Sequence, residues 1–569
     1  MPETSSIVLP RQVADEYVDA LIELDPITGT YLGVKESSGR LPDFSPAGQE
    51  ATADLARRTL ALLDEAERQP GAEDEAERRC ARLLRERLNA QLIVHEADEG
   101  LCAVSNLRSP AHSVRISFTM LPTETEEDWA AVAQRLRAVP EALAGYRASL
   151  ALGLERGMLG GPRATATFVG QLTEWAGGSG RDGGRGWFEE FASAAGESVT
   201  EELRTELTAA GAGADLAVAE LRDWMRDVYA PAVADAPDTV GRERYRRWSR
   251  YFNGTDLDLD QAYAYGWSEY HRLLGEMRVE AERILPGAGP WEALAHLDEH
   301  GTHIEGVDEV QAWLQQLMDE AIKSLDGTHF ELAERVRRVE SRIAPPGGAA
   351  APYYTGPSED FTRPGRTWLP VDGQTRFPVY DLVSTWYHEG VPGHHLQIAQ
   401  WAHVADRLSR YQATIGKVSA NTEGWALYAE RLMDELGFLG DAERRLGYLD
   451  GQMMRACRVI VDIGMHLGLE IPADSPFHPG ERWTPALAQE FFQQHSSRPP
   501  AFVESEMTRY LSMPGQAIGY KLGERAWLLG RANAQAAHGD AFDAKAWHMA
   551  ALSQGPLGLD DLVDELSRL

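Results

Sequence analysis

"TWYHEGVPGHHLQ" (385–397) begins as a metal-binding helix and carries a proline where that helix ought to continue. His388 and Glu389 open the HExxH spacing, in which two histidines four residues apart present their imidazoles on one helix face, one turn apart, where both reach one ion. Here Pro392 stands at the place of the second histidine, and His394 and His395 follow six and seven residues after the first. On a regular helix those offsets are rises of about 9 and 10.5 Å. Two ligands at about 2.1 Å from a shared ion must come within roughly 4 Å of each other, so a straight helix would not make the site. Pro392 removes an N–H, and its ring conflicts with the carbonyl of His388, four residues back. Gly393 adds backbone freedom. The pair predicts a helix interrupted between the two histidine turns, with the break bringing a later histidine toward the first.

Just upstream, "PYYTGPSEDFTRPGRTWLPVDGQTRFPVYD" (352–381) mixes aromatic residues with Gly and Pro and has no helical period. It predicts short strands and turns, hence a small antiparallel β element beside the metal helix, whose edge an extended peptide could join as a further strand. A plain connecting loop is an equal reading of so Pro-rich a stretch. Further out, "ADLARRTLALLDEAERQ", "AERRCARLLRERLNAQLIVHEA" and "AWLQQLMDEAIKSLDG" repeat apolar residues at three- and four-residue steps and predict amphipathic helices. Turn formers break the pattern at "LPDFSPAG", "GGSGRDGGRG" (177–186), "YFNGTDLDLD" and "APPGGAAAPYY" (344–354). The expected fold is mainly α. A helical N-terminal region (1–343) and a metal-site region (344–569) are expected to form one continuous structural unit.

The 569 residues suffice for a large core, and 43% hydrophobic with 25% charged residues is the composition of a folded globular chain. A net charge of −33 argues against nucleic-acid or anionic-membrane partners. "MPETSSIVLPRQVADEYVDALIELDP" has no basic start followed by an apolar run, and no uncharged apolar stretch of about 18 residues occurs. Cys80, Cys102 and Cys457 lie far apart, so neither a disulfide framework nor a CxxC knuckle is available. A cytoplasmic protein without a membrane anchor is expected.

"YHEGVPGHHLQ", "NTEGWALYAERL" (421–432), "RACRVIVDIGMHLGL" (455–469) and "RYLSMPGQAIGYKLGERAW" (509–527) together resemble the bacterial domain-of-unknown-function family 885, a branch related to the metallopeptidases. The resemblance covers most of the chain. The family is in turn similar to the helical zinc peptidases of the thimet oligopeptidase, thermostable carboxypeptidase and angiotensin-converting enzyme group. It implies a large helical, zincin-like (neurolysin-like) fold with a deep cleft and a single Zn2+. In that group the motif is an unbroken HExxH; this chain has two residues inserted before the second histidine. Alignment makes His388 and His394 the histidine ligands, with His395 the alternative to His394. It makes Glu423, 29 residues after His394, the third ligand. Glu430, two turns on along the same face, is its rival or a support behind the site.

Two histidines and a carboxylate leave a fourth zinc position open, as catalysis requires. Glu389 is then the general base that takes a proton from water and passes it to the departing amine. Arg509 and Tyr510 resemble an Arg-Tyr pair of the converting-enzyme group in which the tyrosine steadies the oxyanion; Tyr520 is the competing donor, and Gln516 a candidate for the substrate backbone. Each of these reads equally as a buried helix residue bonded to its neighbours. Asp462 and His466 share a helix face and could orient a ligand imidazole, or serve inter-helix bonding. Arg455 and Arg458 read as counter-charges, and His300 and His303 as part of a polar loop. The expected activity is hydrolysis of short peptides or small amides. A helical binding protein that has lost turnover is the competing class, and a metal-dependent amide or ester hydrolase of a biosynthetic pathway a third. Oligomeric state, cleavage end and native metal are open at this stage.

Overall fold

The stretches with apolar residues at three- and four-residue steps are helices in the computed structural model, which describes residues 7–178, 184–344, 351–371 and 373–569. The three segments quoted above fall in Pro46–Ala66, Glu75–Glu96 and Val307–Leu325, and the protein is mainly α-helical with a few short strands. Of the stretches read from sequence, residues 1–6 of the N-terminus and parts of two breaks, 179–183 and 345–350, lie outside the described residues. No described helix is long and apolar enough to cross a membrane.

The chain forms two compact units. Unit 1 comprises Met1–Ala72, Leu88–Val240 and Glu504–Pro514. Its core is carried by α1 (Pro110–Thr119), α2 (Glu126–Arg156), α3 (Pro162–Trp175) and α4 (Glu201–Trp224). A capping box starts α2: Asp128 N–H donates to Thr125 Oγ1 at 3.2 Å while Thr125 N–H donates back to the Asp128 carboxylate at 2.9 Å. Leu207, Ala210, Ala214, Ala217, Val218 and Leu221 form one stripe of α4 turned to the core. The interior is aromatic, with Phe118, Tyr146 and Phe168 buried and edge-to-face contacts such as Phe118 with Phe188 at 5.2 Å.

Unit 2 comprises Glu73–Arg87, Gly241–Val503 and Gly515–Leu569. Residues 241–343, expected with the N-terminal region, thus fall in the same unit as the metal motif. The physical reason is α5 (Leu259–Ile284), which packs along a later helix, Ala442–Leu467. Between them come β1 (His303–Glu305), β2 (Val339–Ile343), β3 (Tyr353–Thr355), β4 (Gly365–Leu369) and β5 (Arg376–Pro378). The aromatic, Gly- and Pro-punctuated stretch is therefore strands and turns, as its composition predicts. In one sheet the order is β2-β4-β3, with β2 parallel to β4 and β3 antiparallel, Tyr354 opposite Thr367. β1 pairs antiparallel with β5, Ile304 opposite Phe377.

From β5 the chain passes directly into α6 (Val379–Glu389), followed by α7 (His394–His403), α8 (Ser419–Glu435) and α9 (Ala442–Leu467). α9 is buried on every side from Leu446 to His466 apart from Arg455, because α5, α6 and α8 all pack on it. α10 (Pro500–Ser512) begins in unit 2, its residues from Glu504 on counting with unit 1, and α11 (Gly519–His538) returns to unit 2.

Candidate metal centre

The helix breaks where Pro392 and Gly393 predict. α6 closes with Gly390 N–H donating to Trp386 O at 2.8 Å, and α7 starts four residues later at His394. The gap is spliced by Gly393 N–H to Tyr387 O at 3.0 Å and His395 N–H to Gly390 O at 3.1 Å. A Cβ on residue 393 would fall 2.0 Å from the carbonyl oxygen of His388, so only glycine lets the second helix begin against the end of the first. At the junction the carbonyls of Pro392 and Gly393 both accept the indole N–H of the buried Trp425 at 3.0 Å, that of Gly393 also accepting the Gln397 N–H at 3.2 Å. That tryptophan belongs to α8, two residues after Glu423. The helix that would supply the carboxylate therefore also holds the break.

The break brings His388 and His394 together: their rings stand 4.7 Å apart, centre to centre, at 83°. Nε2 of each lies 3.5 Å from Glu423 Oε2. One ligand atom from each of these three residues lies within 4.8 Å of the others, and no other group of three or more His, Cys, Asp or Glu among the described residues is so arranged. Tetrahedral ligands at about 2.1 Å from an ion stand roughly 3.4 Å apart, so the spacing suits a shared cation. Neither nitrogen makes a hydrogen bond to Glu423 Oε2, which is buried with no donor. An oxygen left so is what a metal position asks for.

The depth of Glu423 is set by its neighbour. A Cβ on Gly424 would stand 2.3 Å from the Gly523 carbonyl carbon, and one on Gly523 only 1.9 Å from Ala420 O. α8 and α11 thus meet backbone to backbone beside the carboxylate. On the far side of His388, Nδ1 meets Glu430 Oε1 at 2.7 Å. An ionised carboxylate can only accept, so the proton of the neutral imidazole sits on Nδ1 and Nε2 presents its lone pair toward Glu423 and His394. Glu423 and Glu430 are therefore not rivals; they face opposite nitrogens of one ring. Ser384, one turn before His388, donates to the other oxygen of Glu430 at 2.8 Å.

Burial alone would lower the His388 pKa, but Glu423, Glu430 and Glu389 outweigh it and hold it up at about 9. Burial pushes Glu389 up. Against the same penalty, His388 and His394 draw Glu423 well below the usual carboxylate range, and Arg455 with His388 draws Glu430 down. Without a metal, the cluster of carboxylates keeps a proton on His388; a dication would take its place.

His395 is excluded from the triad. Its Nε2 lies 2.7 Å from Val336 O, which can only accept, so Nε2 carries the proton and Nδ1 accepts from the Tyr354 hydroxyl at 3.0 Å. Burial presses its pKa down to about 4. Asp462 is also engaged elsewhere: one oxygen accepts from the Tyr245 hydroxyl at 2.7 Å and Gly515 N–H at 2.9 Å, with His466 at 3.7 Å from the other. Gln516 Nε2 donates to Ser419 Oγ at 3.4 Å, and Arg458 stacks on the Tyr520 ring at 4.7 Å. Arg509 and Tyr510 lie in the part of α10 that counts with unit 1, where both bond Glu506, the phenol at 2.5 Å. Arg455 lies 3.7 Å from Glu430. His303, expected in a polar loop, instead opens β1, and its ring meets the carbonyls of Gly301 and of Asp298 in the helix Pro290–His300.

Sequence reasoning passed over Trp425, Ser384 and Gln397. The last, one turn into α7, donates to Asn421 of α8 at 3.0 Å and joins the two ligand-bearing helices. Each had a signal in its spacing: Ser384 four residues before His388, Gln397 three after His394, Trp425 two after Glu423.

The chain belongs to the family described as "Bacterial protein of unknown function (DUF885)", which matches residues 26–566. No curated protein matches it. Among solved structures it is similar to "the putative lipoprotein from Colwellia psychrerythraea", at 20% identity and a TM-score of 0.84, with 98% of each chain covered. It is also similar to "a putative lipoprotein of unknown function from Shewanella oneidensis", at 17% identity and a TM-score of 0.73, covering 98% of this chain and 100% of that one. At these identities the likeness is one of fold.

Proposed function

We propose that the protein is a zinc-dependent metallopeptidase-like hydrolase acting on short peptides or other small amides. The observation that carries this reading is the convergence of His388 Nε2, His394 Nε2 and Glu423 Oε2, with the Glu389 carboxylate 4.0 Å from the first of them. Two imidazole nitrogens and one carboxylate oxygen, three protein donors in all, are the donor set of catalytic rather than structural zinc. One Zn2+ bound there supplies a Lewis acid with a position open to water or substrate. Glu430 keeps His388 in the metal-binding tautomer. The ionised Glu389 carboxylate, whose proton affinity burial raises, accepts a proton from the attacking water and returns it to the departing amine. The similarity to helical zinc peptidases, with substrate held in a cleft and a tyrosine at the oxyanion, belongs to this proposal.

The same reading puts the activity in the cytoplasm, on three buried cysteines that form no disulfide, and gives it neither nucleic-acid nor membrane partners, on its acidic charge. The description of the two similar structures as lipoproteins pulls the other way, and fractionation of cells making the full-length protein decides between them. The deciding test of the chemistry pairs elemental analysis with hydrolysis of a mixed peptide and amide library, run with and without chelator. The expected result is one ion per chain, chelator-sensitive cleavage, and a Glu389→Gln variant that keeps its metal and loses turnover. Turnover retained by Glu389→Gln, or an absence of cleavage in any metal-loaded sample, overturns it.

A further inference from the structure

Glu430 is itself held from behind. Its Oε2 accepts not only from Ser384 but from Gln452 Nε2 on α9, at 3.4 Å. Gln452 Oε1 in turn accepts from Lys521 Nζ of α11 at 3.0 Å. The same ammonium pairs with Glu269 Oε2 on α5 at 2.9 Å and with Glu524 one turn along α11. Gln452 and Lys521 are 0% exposed, and Glu430 and Glu524 1%.

The direction of every bond in this line is dictated by chemistry. An ammonium only donates, so the Gln452 oxygen must face Lys521; an ionised carboxylate only accepts, so the Gln452 amide N–H must face Glu430. The amide cannot turn over without losing both partners. With Oε2 occupied by Gln452 and Ser384, Oε1 is left for His388 Nδ1–H, which lies 2.7 Å away. A chain of fixed polarity thus runs from a buried cation, through one amide and one carboxylate, to the imidazole that presents Nε2 to Glu423 and His394. The charge of Lys521 is already met by Glu269 and Glu524, so its third hydrogen bond is not needed for pairing. Gln452 would be an uncommon choice for a fully buried helix position if packing alone decided it.

We infer that Gln452 and Lys521 are positioning residues for the metal centre, fixing Glu430 so that His388 is held in the tautomer and orientation that bind the ion. The inference rests on the metal reading proposed above and extends it to two residues on helices that supply no ligand. Loss of such an outer hydrogen bond weakens metal binding by about 10- to 100-fold in comparable sites.

The test is a Co2+ titration of the chelator-stripped full-length chain, read by its visible absorption and repeated with Zn2+ in competition, for wild type and Gln452→Met. Methionine keeps the length of the side chain and removes both bonds. Support is wild type binding one ion, with Gln452→Met weaker by about 10-fold or more, its Co2+ band shifted, and its apo unfolding temperature unchanged. A merely structural glutamine would move the unfolding temperature and leave affinity and band alone. Wild-type affinity and spectrum in Gln452→Met overturn the inference while leaving the metal reading intact; wild type taking up neither ion overturns both. If Gln452→Met does not fold, Lys521→Arg, which keeps the cation and displaces its donors, is titrated instead, with weaker binding as support and unchanged binding as refutation.

Discussion

Arg135 and His112, buried in unit 1, are surrounded by neutral partners, whereas His388 and Lys521, buried in unit 2, are surrounded by other ionisable groups. Arg135, in the first, donates to the carbonyls of Ser117 and Ser37 and to the Thr30 hydroxyl, and burial brings its pKa down to about 10. His112 sits between Ser109 and Gln171 and is pressed to about 4. In the second, His388 lies among Glu389, Glu423 and Glu430, and Lys521 among Glu269, Glu524 and Gln452. Neutral partners let a buried group sit in the fold with its charge suppressed or satisfied, which is a structural solution. Several carboxylates around one imidazole, with a carboxylate oxygen left bare, favour a positive guest, which is what the proposed metal site requires.

The largest expected break in this contrast is His388→Ala. It should take metal content from about one ion per chain to near none, because two remaining donors do not make a catalytic zinc site. It should also abolish the rise in unfolding temperature expected when zinc is added to the wild type, which differential scanning calorimetry reads directly. Next, Phe168→Ala empties a fully buried aromatic position of unit 1 and should cost about 3 to 5 kcal/mol in denaturant unfolding. It should leave zinc affinity at the wild-type value; an equal loss of metal would erase the distinction between the units.

Acid sharpens the comparison further. His112 has a folded pKa of about 4, below the ordinary value of 6.5 for an exposed imidazole. The unfolded state therefore takes up its proton first, so this histidine's contribution is complete above about pH 6.5 and is lost as pH falls toward 4, to a total of about 3 kcal/mol. A His112→Gln variant, measured by urea unfolding between pH 7.5 and 4, should show a shallower acid slope. The smallest effect expected is that of Trp425→Phe, which keeps a six-membered aromatic ring but removes the five-membered half of the indole, with the N–H shared by the Pro392 and Gly393 carbonyls. It should cost about 1 to 1.5 kcal/mol of stability, and competition with a zinc indicator should show weaker metal binding without loss of stoichiometry.

Much of the site was legible because its signals are local. Proline and glycine arithmetic predicts the interruption between His388 and His394, and the helical spacing of Glu423 and Glu430 puts both on one face of α8. What could not be read lies in contacts made across the chain. Of two adjacent histidines, the second is claimed by Tyr354 and Val336, and neither is near in sequence. Glu430 and Asp462 were both candidates for orienting an imidazole; the choice follows from how α8 and α9 lie beside α6, which spacing along one helix does not contain. The mainly α fold followed from periodicity, while the grouping of residues 241–343 with the metal motif depended on α5 finding α9 far along the chain.

The splice at residues 390–393 has a consequence for changes in chain length. Each helix end there is sealed by the other, through the Gly393–Tyr387 and His395–Gly390 hydrogen bonds and the Trp425 indole. The joint is accordingly a rigid mitre, not a slack tether. Removing two residues to recover an uninterrupted HExxH would not simply slide one imidazole into the other's register. It would rotate the whole of α7 by about 200° and carry Gln397 away from Asn421, so the inserted pair and the helix seams around it have to be exchanged together or not at all.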